Sequence, residues 1–193
     1  MEKRSIQSEI IEIITNGLDD LVIENSINDE LEIILLDENP NTHAILFTEK
    51  KEVLEVGFKL NFKSIHKEVF RKYITKRIER ARAVIKVPKN KKLIVHGKAI
   101  GITSKSYKGD LSIFIEKGNI KLNKVLGNTQ VTLFLGNVYA QLNKNTSLNI
   151  ETTKGEIVLN TRRIDNQYYK KKEISSFNFK VKSINANVIL ITE

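Results

Sequence analysis

A glycine recurs at nine-residue intervals in the second half of the chain, and this spacing limits the possible folds more than any other sequence feature. Four successive glycines keep the interval, Asn145 stands on the next beat, and a fifth glycine comes one residue late on the beat after that. The five repeat glycines, expected to form turns, are Gly109, Gly118, Gly127, Gly136 and Gly155. Short runs of alternating aliphatic residues lie between them, which indicates an internal repeat of stacked strands.

One architecture that satisfies this period is a β-solenoid, of the parallel β-helix or β-roll kind. Two arms of about nine residues would form one coil of about 18 residues, twice the observed interval. Parallel stacking then places Ile113 over Val131 and Ile115 over Leu133, which gives a continuous aliphatic core. The turn glycines would stack in the same way: Gly109 under Gly127, and Gly118 under Gly136 and near Gly155.

An antiparallel meander satisfies the period equally well. Each Gly-Asn pair would then be a type II′ hairpin turn with glycine at its first central position. Ile115 would face Leu122 in that register, followed by Leu133 and Ala140, which also keeps one face of the sheet apolar. The spacing does not separate the two architectures, and both make this region all-β.

Residues 1–88 contain short runs rich in β-branched residues, separated by turn residues, which predicts an antiparallel β layer with one face in water. The runs cover 6–14, 21–24, 31–36, 43–48 and 53–58. Pro88 ends a further strand over 83–87, because proline cannot donate to a ladder. Residues 64–80 fit either a short helix capped by Ser64 or a loop leading into that strand. We therefore predict a β segment over 1–88 and a β-repeat segment over 89–193, together one continuous structural domain.

The composition excludes several classes of protein. With 193 residues, 40% of them hydrophobic and only two prolines, the chain is neither disordered nor collagen-like. The absence of cysteine excludes disulfides, a zinc ribbon and a cysteine nucleophile. No apolar run approaches the roughly 18 residues of a membrane-spanning helix. The first residues lack a secretory signal, so we expect either a cytoplasmic protein or one exported to the periplasm or cell surface whose signal has been removed.

Two short sequence motifs characterise the repeat and the strand that precedes it. The strand before the repeat ends in Ile85-Lys86-Val87-Pro88, and a ladder of units follows in which glycine precedes an acidic or asparagine residue and an aliphatic one. The ladder units begin at Gly109, Gly118, Gly136 and Gly155. Over roughly residues 80–160, this layout resembles the β-strand-repeat putative adhesin domain family of bacteria such as the Bacteroidetes. The resemblance implies a parallel β-helix-like repeat and an exported location, and it implies no catalytic residues.

The sequence gives little support for a metal site or an active site. Calcium prefers about six to eight oxygen ligands, several of them carboxylates, whereas the turns carry mostly neutral asparagines such as Asn119, Asn128 and Asn137. We expect these asparagines to bond the local backbone while glycine permits the turn. The acidic residues of the repeat are scattered, and the histidines are isolated in sequence: His43, His66 and His96. We predict no enzyme activity, no metal site and no cofactor.

The formal net charge of +9 is the electrostatic footprint expected of a protein that binds polyanions. One basic cluster runs from Arg71 to Arg82. The other interleaves cations with aromatic rings and is the candidate anionic-ligand patch: Arg162, Arg163, Tyr168, Tyr169, Lys170, Lys171 and Lys172. Lysine outnumbers arginine by 25 to 7, whereas stacked and bidentate phosphate contacts favour arginine, so nucleic acid is disfavoured as a partner.

Some of these lysines have a structural explanation as well. Lysine along an exposed edge strand prevents pairing with another chain, a role that fits residues 170–172 and 180–182. The apolar run over 187–191 is expected to cap the repeat stack, because a bare solenoid end aggregates. From the residues and the resemblance together, we expect a non-enzymatic cell-envelope protein, adhesin-like or structural, that contacts a cell-surface polymer or another envelope component. The alternative is a basic binding module for nucleic acid or anionic polysaccharide.

Overall fold

The computed structural model describes residues 1–37, 43–60 and 81–193, and within these ranges the chain is all-β, as predicted. In this described part of the chain, sixteen strands form one mixed sheet. They are β1 (Glu2–Ser5), β2 (Ile10–Ile14), β3 (Asp20–Asn25), β4 (Glu30–Asp37), β5 (His43–Lys50), β6 (Val53–Leu60), β7 (Ala81–Val87), β8 (Lys92–Ala99), β9 (Gly101–Lys105), β10 (Leu111–Asn123), β11 (Thr129–Leu142), β12 (Ser147–Thr152), β13 (Ile157–Leu159), β14 (Arg162–Ile164), β15 (Gln167–Lys170) and β16 (Asn178–Thr192). Residues 64–80, where a short helix was one expectation, lie outside the described ranges.

The nine-residue repeat folds as parallel strands. β10 pairs with β11 at an offset of 18 residues, so that Ile113 faces Val131 and Ile115 faces Leu133. The antiparallel meander is wrong, because Ile115 and Leu122, which it would place on facing strands, both belong to β10. Buried side chains alternate along each half of β10 and are interrupted by a largely exposed corner over 116–119. Each coil therefore has two arms, a first arm before the corner and a second arm after it.

Glycines at the turns allow neighbouring coils to approach closely. Gly118 stacks on Gly136, as the repeat predicts, and the backbone of Gly136 has a φ of 145°. A Cβ atom on Gly136 would lie 1.8 Å from the carbonyl oxygen of Gly118. At the other turn, a Cβ atom on Gly127 would lie 2.0 Å from the carbonyl oxygen of Gly109. No side chain fits at these positions, so the backbones of successive coils are in direct contact.

The described part of residues 1–88, namely 1–37, 43–60 and 81–88, does not form the expected antiparallel layer. β2 pairs parallel with both β6 and β8, and β3 pairs parallel with both β7 and β9. These strands extend the same parallel stack, and antiparallel pairing in this part of the chain is made by β1, β4 and β5 at its margin. Alternation of apolar and polar residues determines which face is buried but not the direction of the neighbouring strand, and the prediction failed for that reason.

The C-terminal strand β16 is inserted into the stack rather than placed at its end. It pairs parallel with β11 on one side and with β12 and β13 on the other. The prediction that residues 187–191 cap the stack is therefore wrong. Instead β15 and β14 cover this end, where they pair antiparallel with β12 and β13. The first strands are inserted in a similar way, because β2 separates β6 from β8 and β3 separates β7 from β9.

The late beat of the repeat coincides with the position of the inserted strand. Ala186 faces Gly136 across the β11–β16 pairing, and its carbonyl oxygen would lie 1.8 Å from a Cβ atom on Gly155. Gly155 is therefore separated from Gly118 by β11 and β16, against the expectation that Gly118 lies near Gly155. Across β16, Val131 corresponds to Ile150, an offset of 19 residues rather than 18.

Two columns of buried aliphatic side chains run through the stack, one in each arm. The first-arm column comprises Val56, Ile13, Val95, Ile113, Val131, Val181 and Ile150. The second-arm column comprises Ala83, Leu21, Ile102, Ile120, Val138, Val188 and Ile157. Every member is at most 1% exposed, and full burial of a branched side chain contributes about 1.5–3 kcal/mol. Both columns include residues from 1–88 and from 89–193, and the division into two segments at that point stays a prediction.

Replacing Gly136 with alanine should destabilise the fold strongly. The new Cβ atom would collide with the Gly118 carbonyl oxygen at a φ of 145°, so we expect the free energy of unfolding to fall by about 2–4 kcal/mol. Gly57→Ala is the matched control, because Gly57 also lies in a strand of the stack but no atom lies within 4 Å of a Cβ built there. Chemical denaturation measures the difference, and equal stability of the two variants would contradict the close approach.

Candidate functional site

Asparagine side chains at the turns form hydrogen-bonded ladders along the stack. Asn137 Nδ2 donates to Asn119 Oδ1 at 2.8 Å, and Asn187 Nδ2 donates to Asn137 Oδ1 at 3.2 Å. A second ladder, at the other turn of each coil, has the order Asp110, Asn128 and Asn178. These bonds join successive coils, whereas the sequence led us to expect bonds to the local backbone.

The turn residues do not assemble a metal site. Within residues 1–37, 43–60 and 81–193, no group of three or more His, Asp or Glu side chains could hold a metal ion. The amide oxygens of Asn119 and Asn137 already accept hydrogen bonds from the next coil, and Asp110 Oδ1 accepts two from Asn128. Their role is to join the coils.

The histidines that the structure describes have structural contacts. His96 lies on the outer face of β8, where its Nε2 atom is 3.0 Å from Glu12 Oε1 and its ring stacks on Phe114 at a centroid distance of 5.3 Å. His43 is buried, and its Nε2 atom is 3.1 Å from the carbonyl oxygen of Gly17. His66 lies outside the described ranges.

Charge is segregated along the chain. Residues 89–193 contain 18 lysines and arginines against seven acidic residues, whereas residues 1–88 contain 14 against 16. Among the described residues, every ion pair except that of Arg163 with Glu156 uses a carboxylate from before residue 56. The lysines after residue 108 therefore form no ion pair with any residue that the structure describes. A surface of this kind attracts polyanions.

We call residues 89–193 the basic half of the chain. A groove lies in it, between β12, β15 and the start of β16. Its volume is about 300 Å³, and its lining includes the Tyr169 ring and three lysines, Lys171, Lys172 and Lys180. Strand pairing sets their positions, because Asn149 of β12 faces Tyr169 of β15 on one side and Lys180 of β16 on the other. We call this site the basic groove.

The connection between β15 and β16 contributes to the lining of the basic groove and is held by hydrogen bonds. The backbone N–H of Lys172 donates to Ser147 Oγ at 3.1 Å, and the backbone N–H of Ser147 donates to the Phe177 carbonyl oxygen at 2.9 Å. Ser175 Oγ donates to the same carbonyl oxygen at 2.8 Å. The lysines of this connection thus extend from a backbone that is fixed to β12.

The structure divides the predicted anionic-ligand patch. Three of its members line the basic groove: Tyr169, Lys171 and Lys172. The others lie elsewhere: Tyr168 packs against the core, Lys170 is exposed opposite Leu148, and Arg162 and Arg163 are on β14, which pairs with β13 in the second arm. Arg163 lies 3.7 Å from Glu156, so its charge is partly neutralised.

Two residues of the basic groove, Lys180 and Asn149, were not predicted to bind a ligand. We expected residues 180–182 to protect an edge strand, but β16 is a central strand, so that interpretation is wrong. Asn149 carries no local sequence signal, because its importance comes from its neighbours on two other strands. Of the first basic cluster, Arg82 is described, and it pairs with Asp20 at 3.0 Å.

Comparison with known proteins gives a similarity in structure but none in sequence. No protein-family model matches the chain, and no curated protein matches it significantly. A crystal structure of a putative cell adhesion protein from Clostridium sporogenes matches with a TM-score of 0.66 at 14% identity, covering 100% of this chain and 98% of that one. A putative adhesin from Bacteroides fragilis matches with a TM-score of 0.34 at 12% identity, covering 97% and 95% of the two chains, which is too low to establish a shared fold.

The first similarity shows that the chain shares its fold with the structure of the putative cell adhesion protein. It agrees with the family resemblance carried by the glycine ladder. Within the described ranges, no helix is long and apolar enough to cross a membrane.

Replacing Asn137 with alanine should weaken the stack. The change removes the bond to Asn119 and the acceptor for Asn187, so we expect a loss of about 1–2 kcal/mol in the free energy of unfolding. Asn145→Ala is the control: Asn145 stands on the same nine-residue beat, but its side chain makes no hydrogen bond to a described residue, and we expect a change within about 0.5 kcal/mol. Thermal or chemical unfolding compares the two, and similar losses would contradict a stabilising ladder.

Proposed function

We propose that the chain is an extracellular, adhesin-like protein of the cell envelope that binds an anionic polymer and catalyses no reaction. The observation that carries this proposal is the set of lysines after residue 108 that have no carboxylate partner among the described residues. The fold shared with a protein named for cell adhesion supports it. In this proposal the two-armed stack is a β-solenoid, whose regular face gives a polymer an extended surface to lie on.

The chemistry of lysine fits this kind of binding. Its ammonium group is a compact, strongly hydrated point charge on a flexible stem, so it attracts polyanions without requiring one geometry of the anion. A polymer that binds many such groups releases its counterions, which makes the affinity strongly dependent on salt. The basic half has an excess of 11 positive charges, 18 against seven, which is sufficient for a salt-dependent interaction that involves several lysines.

We expect the purified chain to bind polygalacturonate, with an affinity that falls log-linearly as salt rises from about 50 to 200 mM. The triple variant Lys117→Gln, Lys154→Gln and Lys182→Gln should reduce the slope of that dependence by up to about one for each of these ammonium groups that binds the polymer. The control variant Lys3→Gln, Arg4→Gln and Lys50→Gln removes the same charge from residues that are already ion-paired, and it should leave the dependence unchanged.

Any one of four results would contradict the proposal. Absence of binding at about 50 mM salt, where such contacts are strong, would remove the polyanion partner. Equal effects of the two triple variants would show that the basic half has no special role. Release of shortened products from polygalacturonate would show an enzyme. Tighter binding of single-stranded DNA than of the polysaccharide would favour the alternative function, a nucleic-acid-binding module.

A further inference from the structure

The basic groove has one exposed aromatic ring at its surface. Tyr169 is 70% exposed, although Tyr168 beside it packs against the core. The pairing of Tyr169 with Asn149 of β12 holds the tyrosine backbone in a sheet, so the ring extends from a fixed position. A tyrosine side chain offers an apolar face for packing and a hydroxyl group that forms hydrogen bonds. The ring therefore suits a ligand with both apolar and polar faces.

Three cations surround the same groove. Lys171 and Lys172 follow β15, and Lys180 lies on the inserted strand β16. None of the three forms an ion pair with a described residue, so an entering anion would have no carboxylate to displace. Like-charge repulsion among the ammonium groups would also be relieved by an anion that binds between them. The groove therefore favours a negatively charged ligand.

An uncharged hydrogen-bonding group lies between the ring and one of the cations, Lys180. The Asn149 side chain makes no hydrogen bond to a described residue, and the register places it between Tyr169 and Lys180. An amide can donate and accept at once, which matches the hydroxyl groups of a sugar. Grooves for single-stranded nucleic acid instead use several aromatic platforms for successive bases. Among the described residues that line this groove, Tyr169 provides one exposed ring, and Phe179 is buried.

We propose that the basic groove is a subsite for one uronic acid residue of the bound polymer. The Tyr169 ring packs on the face of the sugar, the Asn149 amide bonds its hydroxyl groups, and the lysines neutralise its carboxylate. The groove volume of about 300 Å³ is at the lower end of small-molecule sites, which matches a group of monosaccharide size. This inference rests on the proposed function and names the chemistry that the polymer must carry.

The hydrogen bonds between residues 172–177 and Ser147 support the inference. The connection between β15 and β16, which lines the groove, is therefore already ordered and loses little conformational entropy when a ligand binds. Weak individual contacts can then give measurable affinity. The groove is also open at the surface of the stack, where neighbouring residues of a polymer can continue along the sheet.

Calorimetric titration with trigalacturonate tests the subsite, with the neutral trisaccharide galactotriose as the matched ligand. We expect Tyr169→Ala to weaken trigalacturonate binding about tenfold, the effect expected when one stacking interaction is removed, and Tyr169→Phe to retain the affinity within about twofold. Lys180→Gln should weaken trigalacturonate severalfold while leaving the weak binding of galactotriose unchanged. Tyr139→Ala is the control, because Tyr139 is also exposed, at 42%, but lies on β11 outside the groove.

The outcomes separate this inference from the proposed function. If Tyr169→Ala binds trigalacturonate as tightly as the unmodified chain, the subsite is wrong, while salt-dependent binding of polygalacturonate would still stand. Equal affinity for galactotriose would overturn the role assigned to the carboxylate. If the unmodified chain binds no polygalacturonate, the proposed function itself fails. Should Tyr169→Ala not fold, as judged by circular dichroism and unfolding, Lys180→Gln and the comparison of trigalacturonate with galactotriose carry the test.

Discussion

Parallel stacking of identical positions is the interaction on which the rest of this structure depends. Each coil places a branched aliphatic side chain at the same point of each arm, so Ile113 lies between Val95 and Val131 and has no access to water. A single coil could bury only one side of such a residue, and it gains stability only when a neighbour covers the other side. The core is therefore a sum of interfaces between neighbouring coils, and removal of one interface weakens both coils that form it.

The turns add a requirement that the aliphatic columns do not impose. An isoleucine can pack on almost any aliphatic neighbour. A column of aliphatic residues therefore tolerates a coil whose strands are displaced along the strand direction relative to the coils beside it. An asparagine ladder does not, because Asn137 bonds both neighbours only if Asn119 and Asn187 stand at the same position. The contact of Gly136 with the Gly118 backbone is equally restrictive, since it excludes any side chain. Ladders and glycines therefore determine the register, and the columns supply most of the free energy of burial.

The parts of the fold that could be predicted are those that repeat locally. The parallel alternative for the glycine interval correctly paired Ile113 with Val131, because these residues lie in coils that follow one another in sequence. The spacing itself was equally compatible with the antiparallel alternative. It could not place β16, which lies 50 residues from its partner β11 in sequence, as the bond from Asn178 to Asn128 shows. The prediction for the N-terminal strands failed for a similar reason, because Ile13 pairs with Val95, which is distant in sequence. Alternating residues are compatible with any such neighbour, so the choice depends on competition among all the coils.

The basic groove shows why the candidate site was only partly predictable. Cations and rings adjacent in sequence pointed to Tyr169, Lys171 and Lys172, but the groove also requires β16, which brings Lys180 beside Asn149. Without that insertion, the end of the stack would be a flat edge protected by lysines. With it, charges that discourage edge pairing on β15 also surround a concave surface on the neighbouring strands. Lys171 and Lys172, next to the edge strand β15, thus line the groove together with Lys180 of the central strand β16.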